Sequence, residues 1–260
     1  MLAVISPAKT LDFECRALTA KATEPEFLGE AAALATLMAR KKPAQLKSLM
    51  SISDDLATLN HARFQEWSVT PPPASVRPAL FAFRGDVYQG LDADTLTTRE
   101  LDYAQTHLRI LSGLYGLLRP LDNIQPYRLE MGTRLKNPRG GNLYAYWADT
   151  PARALAEQAR QLRTKLLVNL ASQEYFRAVD QQALGLTVIT PVFKDWARGE
   201  YRILSFFAKR ARGMMVRYML ERRCRKHADL LDFTSGGYAY DAASSTPEAP
   251  VFLRRTAPEP

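Results

Sequence analysis

The chain has 260 residues, 47% of them hydrophobic, enough to bury a sizeable core, and this excludes a disordered or fibrous protein. Its 35 Lys and Arg outweigh 27 Asp and Glu, and the resulting net charge of +8 attracts nucleic acid or acidic ligands. No window approaches 18 consecutive apolar residues, Met1 to Lys9 lacks the charge order of a signal peptide, and Cys15 and Cys224 stand outside any CxxC spacing, so a membrane protein, a disulfide framework and a zinc site are not expected.

In chain order, Leu2 to Ile5 reads as a short buried strand ended by Ser6-Pro7, because proline cannot donate to a central ladder. A helix is predicted from about Pro25 to Arg40, with Phe27, Ala31, Leu34 and Met38 on one side. A second runs from Pro43 to Met50, its start marked by proline at the first helical position. Ser51-Ile-Ser53 breaks it, and Asp54 to Trp67 resumes a helix that Ser53 caps and Asp54 and Asp55 favour through the dipole. Pro71 to Pro73 is a stiff loop, Leu80 to Phe83 a predicted strand, and Arg84-Gly85-Asp86 a turn. Thr97 and Glu100 form a capping box that opens a helix to about Thr106. Leu108 to Tyr115 is read as a strand entering a tight turn at Gly113 and Gly116. Lys165 to Asn169, Leu186 to Thr190 and Tyr201 to Phe206 complete the predicted sheet, with Ser172 capping a helix through Arg177. Beyond Asp232 a loop-rich tail carries two short strands. This alternation predicts a mixed α/β fold in one unit spanning residues 1–255, with 256–260 as a tail.

The segment Ser205 to Lys226 holds eight Lys or Arg against one acid, Glu221. From Ala208 onward Ala211, Met214, Met215, Tyr218 and Leu220 recur at helical steps, and Lys209, Arg210, Arg212, Arg217, Arg222 and Arg225 fall largely off that stripe. Such a helix either solvates its basic face or presents it to a polyanion.

Several enzyme signatures are missing: there is no P-loop, no GxGxxG after a strand, no GxSxG elbow and no HExxH. His61, His107 and His227 are scattered, and no metal or other cofactor is expected. The loop Ser6-Pro-Ala-Lys9-Thr10 follows the first strand, where open α/β sheets gather ligands. Arg119 and Arg128 sit beside prolines that stiffen them, and either braces loops or presents a fork to phosphate. Convergence of Lys9, Arg119 and Arg128 in one pocket, with Asp86 or Glu130 in reach, would favour nucleotide chemistry.

Residues 43–67 are similar to the helix-hairpin-helix motif of DNA repair proteins: Ile52 is the aliphatic plug, and Ser51 and Ser53 stand where that motif has glycines. The chain as a whole resembles the peroxide stress protein YaaA family. The resemblance rests on Ile5-Ser-Pro-Ala-Lys-Thr-Leu-Asp12, Ser53-Asp54, Gly85-Asp-Val-Tyr88, Leu111-Ser-Gly-Leu-Tyr-Gly116, Leu118-Arg-Pro-Leu-Asp122, Pro126-Tyr-Arg-Leu-Glu-Met-Gly132, Asn169-Leu-Ala-Ser172, Glu174-Tyr-Phe176 and Ala208-Lys209 with Ala211-Arg-Gly213. It implies a cytoplasmic protein of the oxidative stress response that protects DNA, with limitation of free iron as a related role. It also implies an unusual single-domain α/β fold, a positively charged cleft and DNA binding without an established reaction.

Two functions are therefore expected to compete. One is binding of duplex or branched DNA without sequence preference, through backbone contacts from Lys9, Lys47, Ser51, Ile52, Ser53, Arg119, Arg128, Lys194, Lys209, Arg210, Arg212 and Arg217. The alternative is an enzyme acting on a nucleotide or nucleobase in a polar pocket.

Overall fold

The computed structural model describes residues 1–14 and 21–255; Cys15 and the tail 256–260 lie outside the described residues. The strands are β1 (Leu2–Ile5), β2 (Thr10–Leu11), β3 (Arg77–Pro78), β4 (Phe83–Arg84), β5 (Leu108–Ser112), β6 (Gly116–Leu118), β7 (Asn123–Ile124), β8 (Leu166–Leu170), β9 (Thr187–Ile189), β10 (Val192–Ala197), β11 (Glu200–Arg202), β12 (Ala239–Tyr240) and β13 (Val251–Arg254). The helices are α1 (Leu28–Ala39), α2 (Pro43–Met50), α3 (Asp54–Glu66), α4 (Ala79–Ala82), α5 (Asp86–Leu91), α6 (Thr98–His107), α7 (Leu143–Trp147), α8 (Thr150–Gln161), α9 (Gln173–Phe176), α10 (Gln181–Leu184), α11 (Ser205–Arg222) and α12 (Ala228–Leu231).

The apolar run of β1 is buried throughout because the strand lies in the middle of a five-stranded sheet, ordered β6-β5-β1-β8-β9. β1 runs parallel to both β5 and β8, β9 continues parallel to β8, and β6 turns back antiparallel on β5. A second sheet, β11-β10-β13-β12, pairs β10 with β13 in parallel and carries α11 against it. The fold is α/β with mixed sheets and flanking helices, as the alternation of elements predicts.

Two strand assignments need correction. Leu80, Phe81 and Ala82 form the short helix α4, not a strand; all three are fully buried, and a fully buried apolar run has no polar alternation to tell helix from strand. The predicted strand Tyr201–Phe206 stops at Arg202, and Ser205 and Phe206 already belong to the first turn of α11. The buried stripe of that helix is met in part. Ala211, Met215 and Leu220 face the core as expected, joined by Ala208, Val216 and Met219, while Met214 and Tyr218 lie at its edge.

The capping box of α6 forms as expected, with Thr97 Oγ1 accepting from Glu100 N and Glu100 Oε2 accepting from Thr97 N. Cys224 is buried, and burial pushes its thiol up to about 11, so it is a protonated core residue at neutral pH.

Tyrosines are built into the core beside the first sheet. Tyr115 Oη accepts from Trp67 Nε1 and Gln125 N, both at 3.1 Å, and Tyr127 shares a 2.7 Å hydrogen bond with Ser112. Burial pushes Tyr115 up to about 12 from its usual 10, and Tyr88, Tyr127 and Tyr175 are raised by the same cause. A raised folded-state value means the unfolded chain releases its phenolic protons first, so stability is intact below pH 10 and falls as pH rises toward 12. For Tyr115 alone, the rise from 10 to about 12 corresponds to roughly 2–3 kcal/mol. Urea denaturation at a series of alkaline pH values should show this decline; a flat stability between those limits would contradict it.

Candidate functional site

The site follows from the topology of the first sheet. From β1 the chain passes to β5 on one side, then crosses to β8 on the other side and on outward to β9. β1 and β8 are thus adjacent strands whose connections leave in opposite directions, and in open α/β sheets the crevice beyond the carboxyl ends of such a pair collects ligands. A cavity of about 520 Å³ lies there, lined by the loop Ser6–Thr10 after β1, by Leu170, Ser172, Glu174 and Tyr175 after β8, by Arg84–Tyr88, by Glu130, and by Lys209 and Arg212 of α11.

The two strand-end loops are stitched by side chains. Ser6 Oγ accepts from Ser172 N at 2.9 Å and lies 3.3 Å from Ser172 Oγ, which in turn accepts from Tyr175 N. Tyr88 Oη donates to Ser6 O at 3.1 Å, tying α5 to the same loop. Rigid walls of this kind hold polar groups in place without the ligand having to order them.

The wall formed by α11 depends on glycine. Gly213 of α11 packs against the Val87 carbonyl, and Gly90 of α5 against the Arg210 carbonyl, each so closely that a Cβ would overlap the opposing backbone. This double contact brings Lys209 and Arg212 alongside Asp86 at the start of α5, with Lys209 Nζ 3.8 Å from Asp86 Oδ2.

Cations and carboxylates face each other across the cavity. Lys9 Nζ lies 2.9 Å from Glu130 Oε2, and Arg128 Nη2 is 3.3 Å from Glu130 Oε1, so one carboxylate is bracketed by two cations. Glu174 Oε1 accepts from Gly132 N at 2.9 Å. Arg84 reaches Asp12 and Asp94, at 3.2 and 3.1 Å. Arg212 differs: it is partly buried, its side chain makes no ion pair or hydrogen bond among the described residues, and burial lowers its pKa. A half-buried guanidinium without an acid is poised for an anion from outside.

Among the residues expected to contact DNA, Lys9, Lys209 and Arg212 line this cavity. Arg128 joins Lys9 and Glu130 in a small adjoining hollow. Arg119 does not share the pocket, contrary to expectation: its Nε and Nη2 bind Asp122 Oδ1, and Nη2 also reaches Glu24 O, because the turn Arg119–Asp122 folds the side chain back on a buried acid. Arg210 is exposed and does not line the cavity, and Lys194 is partly buried on β10. Arg217 is held by Glu221 Oε1 at 2.7 Å, by the Asp92 carbonyl at 2.9 Å and by Thr95, so it clamps α11 to the end of α5. Lys47 pairs with Asp54 at 2.7 Å.

The helical hairpin stands apart from the cavity. Ser51 ends α2 in the left-handed region at φ 51°, Ile52 is buried, and Ser53 Oγ caps α3 by accepting from Leu56 N. Serine thus adopts the backbone conformation that glycine favours, at a cost of roughly 1–2 kcal/mol. Sequence reasoning placed Ser6 only as part of the loop after the first strand, and did not single out Arg84, Tyr88, Ser172, Glu174 and Tyr175 as site residues. Their signal was position: with Ser6, three of them lie in or beside the loops that follow β1 and β8.

The polar, partly cationic cavity thus lies at the switch point of the parallel strands, where open α/β sheets commonly bind ligands. The sequence pattern described as peroxide stress protein YaaA matches residues 1–244, and the chain belongs to that family. It is 52% identical over 255 residues to a UPF0246 protein of Pseudoalteromonas translucida, covering 98% of each chain. It is also 51% identical over 257 residues to UPF0246 proteins of Burkholderia mallei and Burkholderia pseudomallei, covering 98% of this chain and 99% of theirs. Family membership supports a role in peroxide stress. No helix among the described residues is long and apolar enough to cross a membrane. None of the described His, Cys, Asp and Glu residues gather in a group of three that could hold a metal ion.

Proposed function

We propose that the protein serves the peroxide stress response by binding DNA through its phosphate backbone, without reading base sequence. The observation that carries this reading is the exposed cationic edge of α11, on which Lys209 also lines the cavity. Lys209 and Arg210 are exposed there, Lys209 has only a distant acid, and Arg212 behind them has none. Arg222, Arg223, Arg225 and Lys226 are exposed as well, at the far end of the helix, where Cys224 O meets the Met1 amino group before the start of β1. The hairpin at Ser51–Ser53 supplies a second candidate contact, with exposed serines on either side of a buried plug.

Phosphate neutralisation releases counterions, so log affinity for duplex DNA should fall with log salt with a slope of about −0.9 for each contact. Lys209→Ala with Arg210→Ala should flatten that slope by about two contacts and leave the thermal midpoint unchanged, because exposed charges contribute little to stability. A wild-type affinity indifferent to salt would remove the reading. A strong consensus selected from random duplexes would also count against it, since backbone contacts carry no sequence information.

The enzyme alternative has its own support in the carboxylates Asp86, Glu130 and Glu174, which share the cavity with the cations. Phosphate contact alone has no use for them.

A further inference from the structure

A cavity of about 520 Å³ is too small to admit a duplex, whose major groove alone is about 12 Å wide and 8.5 Å deep. Volumes of this order are those of small-molecule sites. The interior is also wrong for a continuous polyanion, because Asp86, Glu130 and Glu174 would meet successive phosphates and repel them. Lys9, Arg84 and Arg128 are already matched with carboxylates at 2.9–3.3 Å. Arg212 is the cation left over, and it calls for one anion, not many.

Resting on the nucleic-acid reading, we infer that the cavity seats a single nucleotide unit, its phosphate on Arg212 and Lys209 and its hydroxyl and amino donors against the Glu130 and Asp86 carboxylates. Carboxylates accept from sugar hydroxyls and from exocyclic amines, which gives the acids a use that backbone binding does not. The walls suit such a guest, because the Ser6 and Ser172 loops are fixed to each other and to Tyr88 before any ligand arrives. One nucleotide unit can come from two sources: a free nucleoside monophosphate, or a nucleotide turned out of damaged or branched DNA while the basic edge of α11 holds the flanking backbone.

Calorimetric titration of the full chain with each deoxynucleoside monophosphate, with the matching nucleosides and with inorganic phosphate tests the assignment. Saturable one-to-one binding of a monophosphate is expected, at least about tenfold tighter than either fragment, because the two halves of the site act together. Arg212→Gln should weaken it by about tenfold or more, as expected for loss of a charged hydrogen bond. Lys209→Ala, on the exposed edge, should act in the same direction and keeps the test independent of any packing change at Arg212. Competition by the monophosphate against DNA carrying a single-nucleotide bulge, but not against fully paired DNA, would identify the extruded nucleotide as the source; monophosphate binding without competition would identify the free nucleotide. Monophosphates that fail to bind, or that bind both variants as tightly as wild type, overturn the inference. Should paired DNA still bind with its salt dependence in that case, the backbone reading stands alone; should it not bind either, both readings fall.

Discussion

Gly213→Ala is expected to cost at least about 3 kcal/mol of stability, and to abolish ligand binding in whatever protein remains folded. The methyl group has nowhere to go. At position 213 it would overlap the Val87 carbonyl oxygen and lie 2.7 Å from Leu91 N, and both neighbours are backbone atoms of α5 that no rotamer change can move. The helices would have to separate, and their separation would carry Lys209 and Arg212 away from Asp86 and open the cavity wall. Gly29→Ala in α1 is the control. Nothing lies within 4 Å of a Cβ at that position, so the same substitution should stabilise the helix by roughly 0.5–1 kcal/mol. Urea denaturation of both variants decides the matter, and two variants of equal stability would show that the glycine contact does not hold α11 in place.

The two glycines also mark what the sequence conveyed and what it could not. Local signals were legible wherever one residue decides a local geometry: Pro43 at the start of α2, Ser53 capping α3, and Thr97 with Glu100 opening α6 are all where the side-chain chemistry puts them. The first strand and the cavity loop after it were legible because an apolar run ending at proline has few other readings. α4 was not, since full burial erases the pattern that separates helix from strand. The helix Thr150–Gln161 and the strand Val192–Ala197 were passed over, although Pro151 in the first turn and the buried Ala152, Leu155 and Ala159 mark the helix. Site residues divided in the same way. Lys9 was placed by its own strand, but Arg119 was assigned to the pocket from its chemistry alone, and the nearby Asp122 claimed it. Glu174 and Ser172 entered the site only through the pairing of β1 with β8, a contact between residues far apart in the chain. A helix-helix crossing at Gly90 and Gly213 is equally non-local, and a glycine inside a basic helix reads from sequence as a weakness, not as a contact.

Arg254→Met is expected to lower stability by about 3–5 kcal/mol. Asp195 and Arg254 are register partners on the parallel strands β10 and β13, and both side chains are only 4% exposed. Arg254 Nε donates to Asp195 Oδ1 at 2.6 Å, Tyr238 Oη donates to Oδ2 at 2.9 Å, and Arg254 Nη1 reaches the Gly236 carbonyl at 3.2 Å. The guanidinium also lies over the rings of Tyr238 and Phe207, at 4.3 and 4.8 Å, and Phe207 belongs to the first turn of α11. Methionine fills much of the same space but leaves the Asp195 carboxylate buried with a single neutral donor, and that uncompensated charge dominates the cost. Adding Asp195→Leu to the variant removes the charge, so the double variant should be more stable than Arg254→Met alone even though it departs further from the natural sequence. The opposite order would mean that ring stacking and packing, not the ion pair, hold this sheet together. The consequence reaches the site as well: Phe207 is two residues from Lys209, so loosening the start of α11 should weaken ligand binding in Arg254→Met, and the double variant should recover less of the binding than of the stability because the cation over Phe207 is still missing.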